Sequence, residues 1–308
     1  MKIDPSKAPA PGSLPDEERP DGQREGLNAV EMYLGMARAE LDVAYSNRAV
    51  VRDWQGYLQR WHQRGIAVYR ERPCSRDLRY GPEPRQRIDL FPAGPERAPT
   101  VLFLHGGYWQ WNDKEGQAFV ADGLLPHGIN VAIGEYTLAP QARMPQIAEE
   151  ATSMVQWLAA ELGRRRMEAS RLWVCGISTG AHLMALTVGL PQVRGGLLIS
   201  GIYDLEPIRL SSLNDPIGMT RSIAERYSPI RHIPPPGGVV TISHGGAELP
   251  EIVRQSRAYA DALRACGWSA DLLPVEGADH FSILETLAAP EGRLARHLAD
   301  MVTDAIVP

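Results

Sequence analysis

The sequence predicts an α/β protein with a mostly parallel, eight-stranded sheet covered by helices on both faces. Short apolar runs recur along most of the chain, and from the third onward segments with helical apolar spacing mostly separate them. A chain of 308 residues with 44% hydrophobic and 22% charged side chains can also bury a full core without metal or disulfide. Strands that alternate with helices pair in parallel, because each helix carries the chain back across the sheet.

The first 26 residues, MKIDPSKAPAPGSLPDEERPDGQREG, are rich in proline and charge and nearly free of large apolar side chains. They cannot offset the entropy of ordering themselves and are predicted to be a mobile tail, which leaves 27–308 as a single domain. From Leu27 to about Arg64, NAVEMYLGMARAELDVAY and VVRDWQGYLQRWHQRG carry apolar residues at helical spacing and read as two helices. The strand-like runs are IAVYRER, RIDLFPA, TVLFLH, NVAIGEY, RLWVCGI, GGLLISGI, GVVTISH and ADLLPVEG. No helix separates the first two, which predicts an antiparallel start. Helical periodicity is expected over 143–164, 180–190, 250–265 and 284–305. The proline-rich interval 205–236, with GMTRSIAERY inside it, interrupts the alternation. In a parallel sheet such an excursion leaves from a strand end, where ligands bind, so it is expected to form a small lid with the N-terminal helices.

Composition excludes several function classes. A formal charge of −5 with no basic stripe excludes nucleic acid as an expected partner. Cys74, Cys175 and Cys266 form no CxxC pair and leave an odd thiol, which suits a reducing compartment. With no apolar leader and no 18-residue apolar run, a cytoplasmic protein without membrane association is expected. No histidine pair has metal-ligand spacing, so neither metal nor cofactor is expected. The expected partner is a small-molecule substrate, and a homodimer stays open.

The chemistry concentrates in LWVCGISTGAHLMALTVGL, an apolar strand, a Gly-x-Ser-x-Gly turn and a helix. A sharp strand-to-helix turn exposes Ser178 in strained geometry and leaves no room for side chains at Gly176 and Gly180. A serine nucleophile needs a base and a group that orients it. His280, just past the last strand-like run, has the best placement. His182 lies four residues beyond Ser178 on the same helix and reads as a packed residue, while His62, His127, His232 and His297 read as surface residues. For the acid, Glu248 follows GVVTISH; Asp204 is the rival, one strand earlier, and Asp279 is too close along the chain to turn toward His280. Two glycines after TVLFLH let the main chain approach an oxyanion, so the amides of Gly106, Gly107 and Thr179 are the expected donors. His105 reads as structural. Tyr108 and Trp109 are expected to line the substrate pocket, and Trp111 stands beside them. In the second His-Gly-Gly, 244–246, the glycines are expected to make the turn that delivers Glu248, with His244 structural.

Together LDVAYSNRAVV, HGGYWQWNDK, YTLAP, GISTGAHL, SGIYDLEP, ELPEIVRQS and DHFSILE run in order from about residue 41 to 286. The chain thereby resembles the α/β-hydrolase superfamily, and within it the group of kynurenine formamidases and the wider hormone-sensitive-lipase-like esterases. The resemblance implies the α/β-hydrolase fold and a triad of Ser178, Glu248 and His280, with Asp204 as a structural residue. It also implies a cofactor-free cleavage of an aryl formamide such as N-formylkynurenine. Two positions depart from the family's pattern: Thr179 stands where alanine is usual, and Glu248 where aspartate is. A carboxylic ester, carbamate or other amide is the alternative substrate class. A non-catalytic receptor on the same fold would lack a triad member, and here all three are present.

Overall fold

A computed structural model of the chain describes residues 31–94, 97–169 and 172–304; the tail expected at 1–26 lies outside them. Among the described residues eight strands form one sheet: β1 (Ser75–Arg79), β2 (Arg87–Phe91), β3 (Thr100–Leu104), β4 (Asn130–Gly134), β5 (Leu172–Ile177), β6 (Val193–Ile199), β7 (Val239–Gly245) and β8 (Ser269–Val275). Their order is β1-β2-β4-β3-β5-β6-β7-β8. β2 runs antiparallel to β1 and β4, and the remaining pairs are parallel. The fold is that of the α/β-hydrolases.

Three helices precede the sheet: α1 (Arg38–Ala44), α2 (Asn47–Val50) and α3 (Trp54–Glu71). Among the strands come α4 (Lys114–Gln117), α5 (Ala121–Leu124), α6 (Met144–Arg164) and α7 (Thr179–Ala185). The excursion after β6 holds α8 (Glu206–Leu210), α9 (Asn214–Ile217) and α10 (Arg221–Arg226). The chain continues through α11 (Pro250–Ala265), α12 (Ser282–Ala288) and α13 (Arg293–Asp304).

Successive strand residues point to opposite faces, and both faces are covered. Leu102 and Leu104 of β3 pack in one layer with Met154, Leu183 and Ile252 of α6, α7 and α11. Val101 and Phe103 pack in the other with Trp61, Leu284 and Leu298 of α3, α12 and α13. Burial on both sides explains why the central strands are apolar without alternation.

The structure corrects two readings of the N-terminal region. IAVYRER is not a strand but the end of α3, where Trp61, Gly65 and Val68 continue one buried helical stripe. A Cβ on Gly65 would stand 2.2 Å from the Glu115 carbonyl oxygen, so α3 packs too closely on α4 to give way to a strand. The antiparallel start comes instead from β1, SRDLR, a charged and largely exposed edge that shows no apolar alternation. The first helix also begins later than its periodicity suggests, because Tyr33 and Met36 pair across a tight turn ahead of it. Near the C-terminus the expected single helix is two, α12 and α13, parted around Pro290 and Gly292.

The N-terminal helices form a cap tied down at several points. The Tyr45 hydroxyl donates to Glu251 (3.0 Å) and accepts from Gln255 Nε2 (2.7 Å), both on α11. Asp42 accepts the Ser212 N–H at 2.7 Å, and Trp61 Nε1 donates to Glu285 of α12 at 2.6 Å.

Candidate active site

The turn from β5 to α7 holds Ser178 at φ 57°, ψ −121°, a conformation that costs an L-residue free energy and persists only where its surroundings enforce it. Here the Ser178 N–H donates to the Ile199 carbonyl (2.8 Å) while its own carbonyl accepts from the His182 N–H (3.0 Å). Glycine is required on both sides. A Cβ on Gly176 would lie 2.5 Å from the Gly180 carbonyl carbon, and one on Gly180 would lie 2.1 Å from the Leu104 carbonyl oxygen.

His280 follows β8, as expected, and its Nδ1 lies 2.8 Å from Glu248 Oε2. The Glu248 side chain is fully buried, and its other oxygen accepts from the Ser200 hydroxyl (2.5 Å) and the Gly245 N–H (2.7 Å). A carboxylate so held accepts a hydrogen bond from the Nδ1–H, which leaves Nε2 of a neutral imidazole free as a base. The second His-Gly-Gly makes the turn that brings Glu248 there: Gly245 ends β7, the Gly246 N–H donates to the Val275 carbonyl at 2.8 Å, and His244 is buried.

The rivals are occupied elsewhere. Asp204 accepts from the Tyr33 hydroxyl (3.1 Å) and the Glu206 N–H (3.2 Å), so it orders the loop after β6. Asp279 accepts the N–H groups of Phe281 and Ser282 (2.9 and 2.8 Å) at the start of α12. His182 is buried, with Nε2 2.8 Å from the Tyr227 carbonyl, and burial pushes its pKa down to about 4. His62, His127 and His232 lie on the surface, but His297 is partly buried, with Nε2 2.9 Å from Thr241 Oγ1.

After β3 the main chain passes directly behind the serine. A Cβ on Gly106 would stand 2.9 Å from Ser178 Cβ, and Gly107 has φ 117°. Among the described residues the N–H groups of Gly106 and Gly107 meet no acceptor, and Thr179, first in α7, has an N–H that no helical carbonyl can reach. His105, stacked on Tyr136 and 3.0 Å from Glu135 through Nε2, anchors the loop.

Ser178, His280, Gly106, Gly107 and Tyr108 all line one cavity of about 330 Å³, a size that suits a small organic molecule. Trp109 does not line it. Tyr108 and Trp109 both take left-handed backbone angles (φ 49° and 58°), and Trp109 ends fully buried, edge-on to His182 with ring centres 5.1 Å apart. Trp111 lines the cavity instead, joined by Tyr45, Leu58, Trp61 and Phe281. Leu58, Trp61 and Phe281 had no distinguishing signal, since by periodicity they look like any core position. Of the 205–236 excursion only Ser212 and Leu213 reach the wall, so the N-terminal helices supply most of the lid.

Sheet order and the strand-turn-helix around Ser178, with the relatives that follow, place the chain among the hydrolytic enzymes of the α/β-hydrolase class. A family model described as BD-FAE matches residues 88–195. Kynurenine formamidase from Danio rerio is 30% identical over an alignment of 292 positions that covers 88% of this chain and 98% of that protein. The Drosophila melanogaster kynurenine formamidase is 30% identical over 73% of this chain and 80% of its own length. Among solved structures, a putative thioesterase from Silicibacter sp. TM1040 superposes with TM-score 0.77 at 29% identity, covering 86% of this chain and 99% of that one. Esterase LipW from Mycobacterium marinum shares the fold at TM-score 0.69 and 20% identity, over 83% of this chain and 90% of its own. The chain belongs to the kynurenine formamidase-like family of α/β-hydrolases. Among the described residues no helix is long and apolar enough to cross a membrane.

Proposed function

We propose that the chain is a serine hydrolase that cleaves an aryl formamide such as N-formylkynurenine to the free arylamine and formate. One observation carries the reading: His280 is locked to a buried Glu248 at 2.8 Å and shares a cavity with the strained Ser178. Ser178 Oγ attacks the formyl carbonyl as His280 Nε2 takes its proton, and Glu248 holds the imidazolium. The N–H groups of Gly106, Gly107 and Thr179 receive the oxyanion. The C–N bond then breaks, His280 hands its proton to the leaving nitrogen, and a formyl ester remains on Ser178. Water, deprotonated by His280, attacks that ester, and His280 returns the proton to Ser178 Oγ as the ester bond breaks and formate leaves. A formyl group needs almost no acyl pocket, so the aromatic side chains around the cavity are left to hold the leaving group.

The relatives named kynurenine formamidase support this substrate, and the solved neighbours named thioesterase and esterase favour the second reading, hydrolysis of a small carboxylic ester. The ratio of kcat/KM for N-formylkynurenine to that for p-nitrophenyl acetate separates them. A formamidase gives a ratio well above one with stoichiometric formate, whereas a ratio below one moves the assignment to esterase. Ser178→Ala is expected to lower kcat by about 10⁴-fold or more and to abolish labelling by a fluorophosphonate; labelling that survives it would sink the serine mechanism.

A further inference from the structure

Among the described residues, one cation in the cavity wall meets no anion. Arg48 of α2 lines the same cavity as Ser178 and His280, and its guanidinium carbon lies 4.6 Å from the ring centre of Trp54 and 4.5 Å from that of Trp111. Among the described residues it meets no carboxylate. Arg60, Arg64 and Arg76 also lie over aromatic rings, but each of those has a partner, in Asp53, Glu285 and Glu115. The acidic residue that lines the cavity is engaged elsewhere, since Asp42 accepts the Ser212 N–H, and Glu248, behind His280, is held by that histidine.

Contact with an indole face fixes a guanidinium without using its N–H groups, which point outward in its own plane. Those N–H groups form a fork that matches a carboxylate with two parallel hydrogen bonds. The wall beside it has further unused polar capacity, since Asn47 is buried with neither amide atom hydrogen-bonded and Gln117 has an unpartnered Oε1. An arginine oriented by two tryptophans, unpaired and open to the cavity, is prepared for an anion that arrives with the ligand.

We propose that Arg48 is the specificity residue of this cavity and takes a carboxylate that the substrate carries away from the bond to be cleaved. This rests on the hydrolase reading above but not on the choice of a formamide. The test uses aryl acetates matched in size, 3- and 4-acetoxybenzoate against the corresponding neutral acetoxybenzamides. The wild-type enzyme is expected to prefer the carboxylates. In Arg48→Met the ratio of kcat/KM for carboxylate over amide falls about tenfold or more, through KM, and Arg48→Lys, which keeps the charge but loses the fork, falls between. Added salt raises KM for the carboxylates in the wild type and much less so in Arg48→Met. Arg48 is exposed, so both variants fold, and thermal melting checks this. A ratio that does not change, or equal losses on both substrates, would overturn the proposal, the second result marking Arg48 as packing only. Should neither ester turn over, calorimetric binding of the same compounds to wild type and Arg48→Met makes the same comparison. Failure on N-formylkynurenine with the charge preference intact retires the formamidase reading alone. Equal kcat/KM for N-formylkynurenine in wild type and Arg48→Met retires the role of Arg48 alone.

Discussion

At the scale of single residues, the longer arm of Glu248 is accommodated by contacts on both oxygens. Ser200 and the Gly245 N–H hold one oxygen while His280 takes the other, so the extra methylene adds no freedom. Glu248→Gln keeps the shape but turns an N–H toward His280 or forces the ring into the wrong tautomer. By analogy with the equivalent change in serine proteases, kcat is expected to fall on the order of 10⁴-fold. A steady-state assay beside a thermal melt checks this, and a loss below about tenfold would remove Glu248 from the proton relay. The placement of His280 against Glu248 and beside Ser178 was legible because chain order and the positions of strand ends constrain it. Ser200 was not legible, because its contact with Glu248 depends on two neighbouring strands ending at matched heights, Ile199 beside Ser243. Trp109 misled for a similar reason: consecutive left-handed residues decide which way an aromatic points, and composition does not report backbone angles.

At the scale of elements, the cap depends on a few buried polar contacts between segments far apart in sequence. Tyr45 joins the end of α1 to Glu251 and Gln255 of α11, and its carbonyl accepts the Tyr108 hydroxyl at 2.5 Å. Tyr45→Phe leaves both α11 side chains short of a partner. Urea denaturation is expected to show a loss of about 1–3 kcal/mol, with a higher KM because the same segment forms the cavity wall. Unchanged stability and KM would mean that the cap is held without it. Helices α6 and α11 follow their sequence periodicity closely, since each lays one apolar stripe on the sheet. The segment 66–71 does not, because its local preference for strand yields to close packing of α3 on α4.

At the scale of the whole molecule, burial of neutral His182 between α7 and the chain near Tyr227 makes stability depend on pH. Desolvation lowers its pKa from the ordinary 6.5 to about 4, against a smaller opposing effect of the Tyr227 carbonyl. The unfolded chain therefore binds a proton that the folded one refuses. The contribution of His182 is fully present above pH 6.5 and is lost as pH falls from there toward 4, a span worth on the order of 3 kcal/mol. Denaturation at pH 7 and pH 4.5 is expected to show wild type losing about 2–3 kcal/mol more than His182→Gln. Equal losses would place the acid sensitivity in other groups.

By itself the sequence determined the fold class, the strand-turn-helix around Ser178 and the chain order of serine, acid and histidine. Apolar periodicity and glycine spacing are local properties, set within a few residues of where they act. Only the tertiary structure decided which aromatics face the cavity, that α3 runs through an apparent strand, that Ser200 steadies Glu248 and that Arg48 faces the cavity without an anion. Each of these depends on distances between segments tens to hundreds of residues apart, where packing and desolvation override local preference.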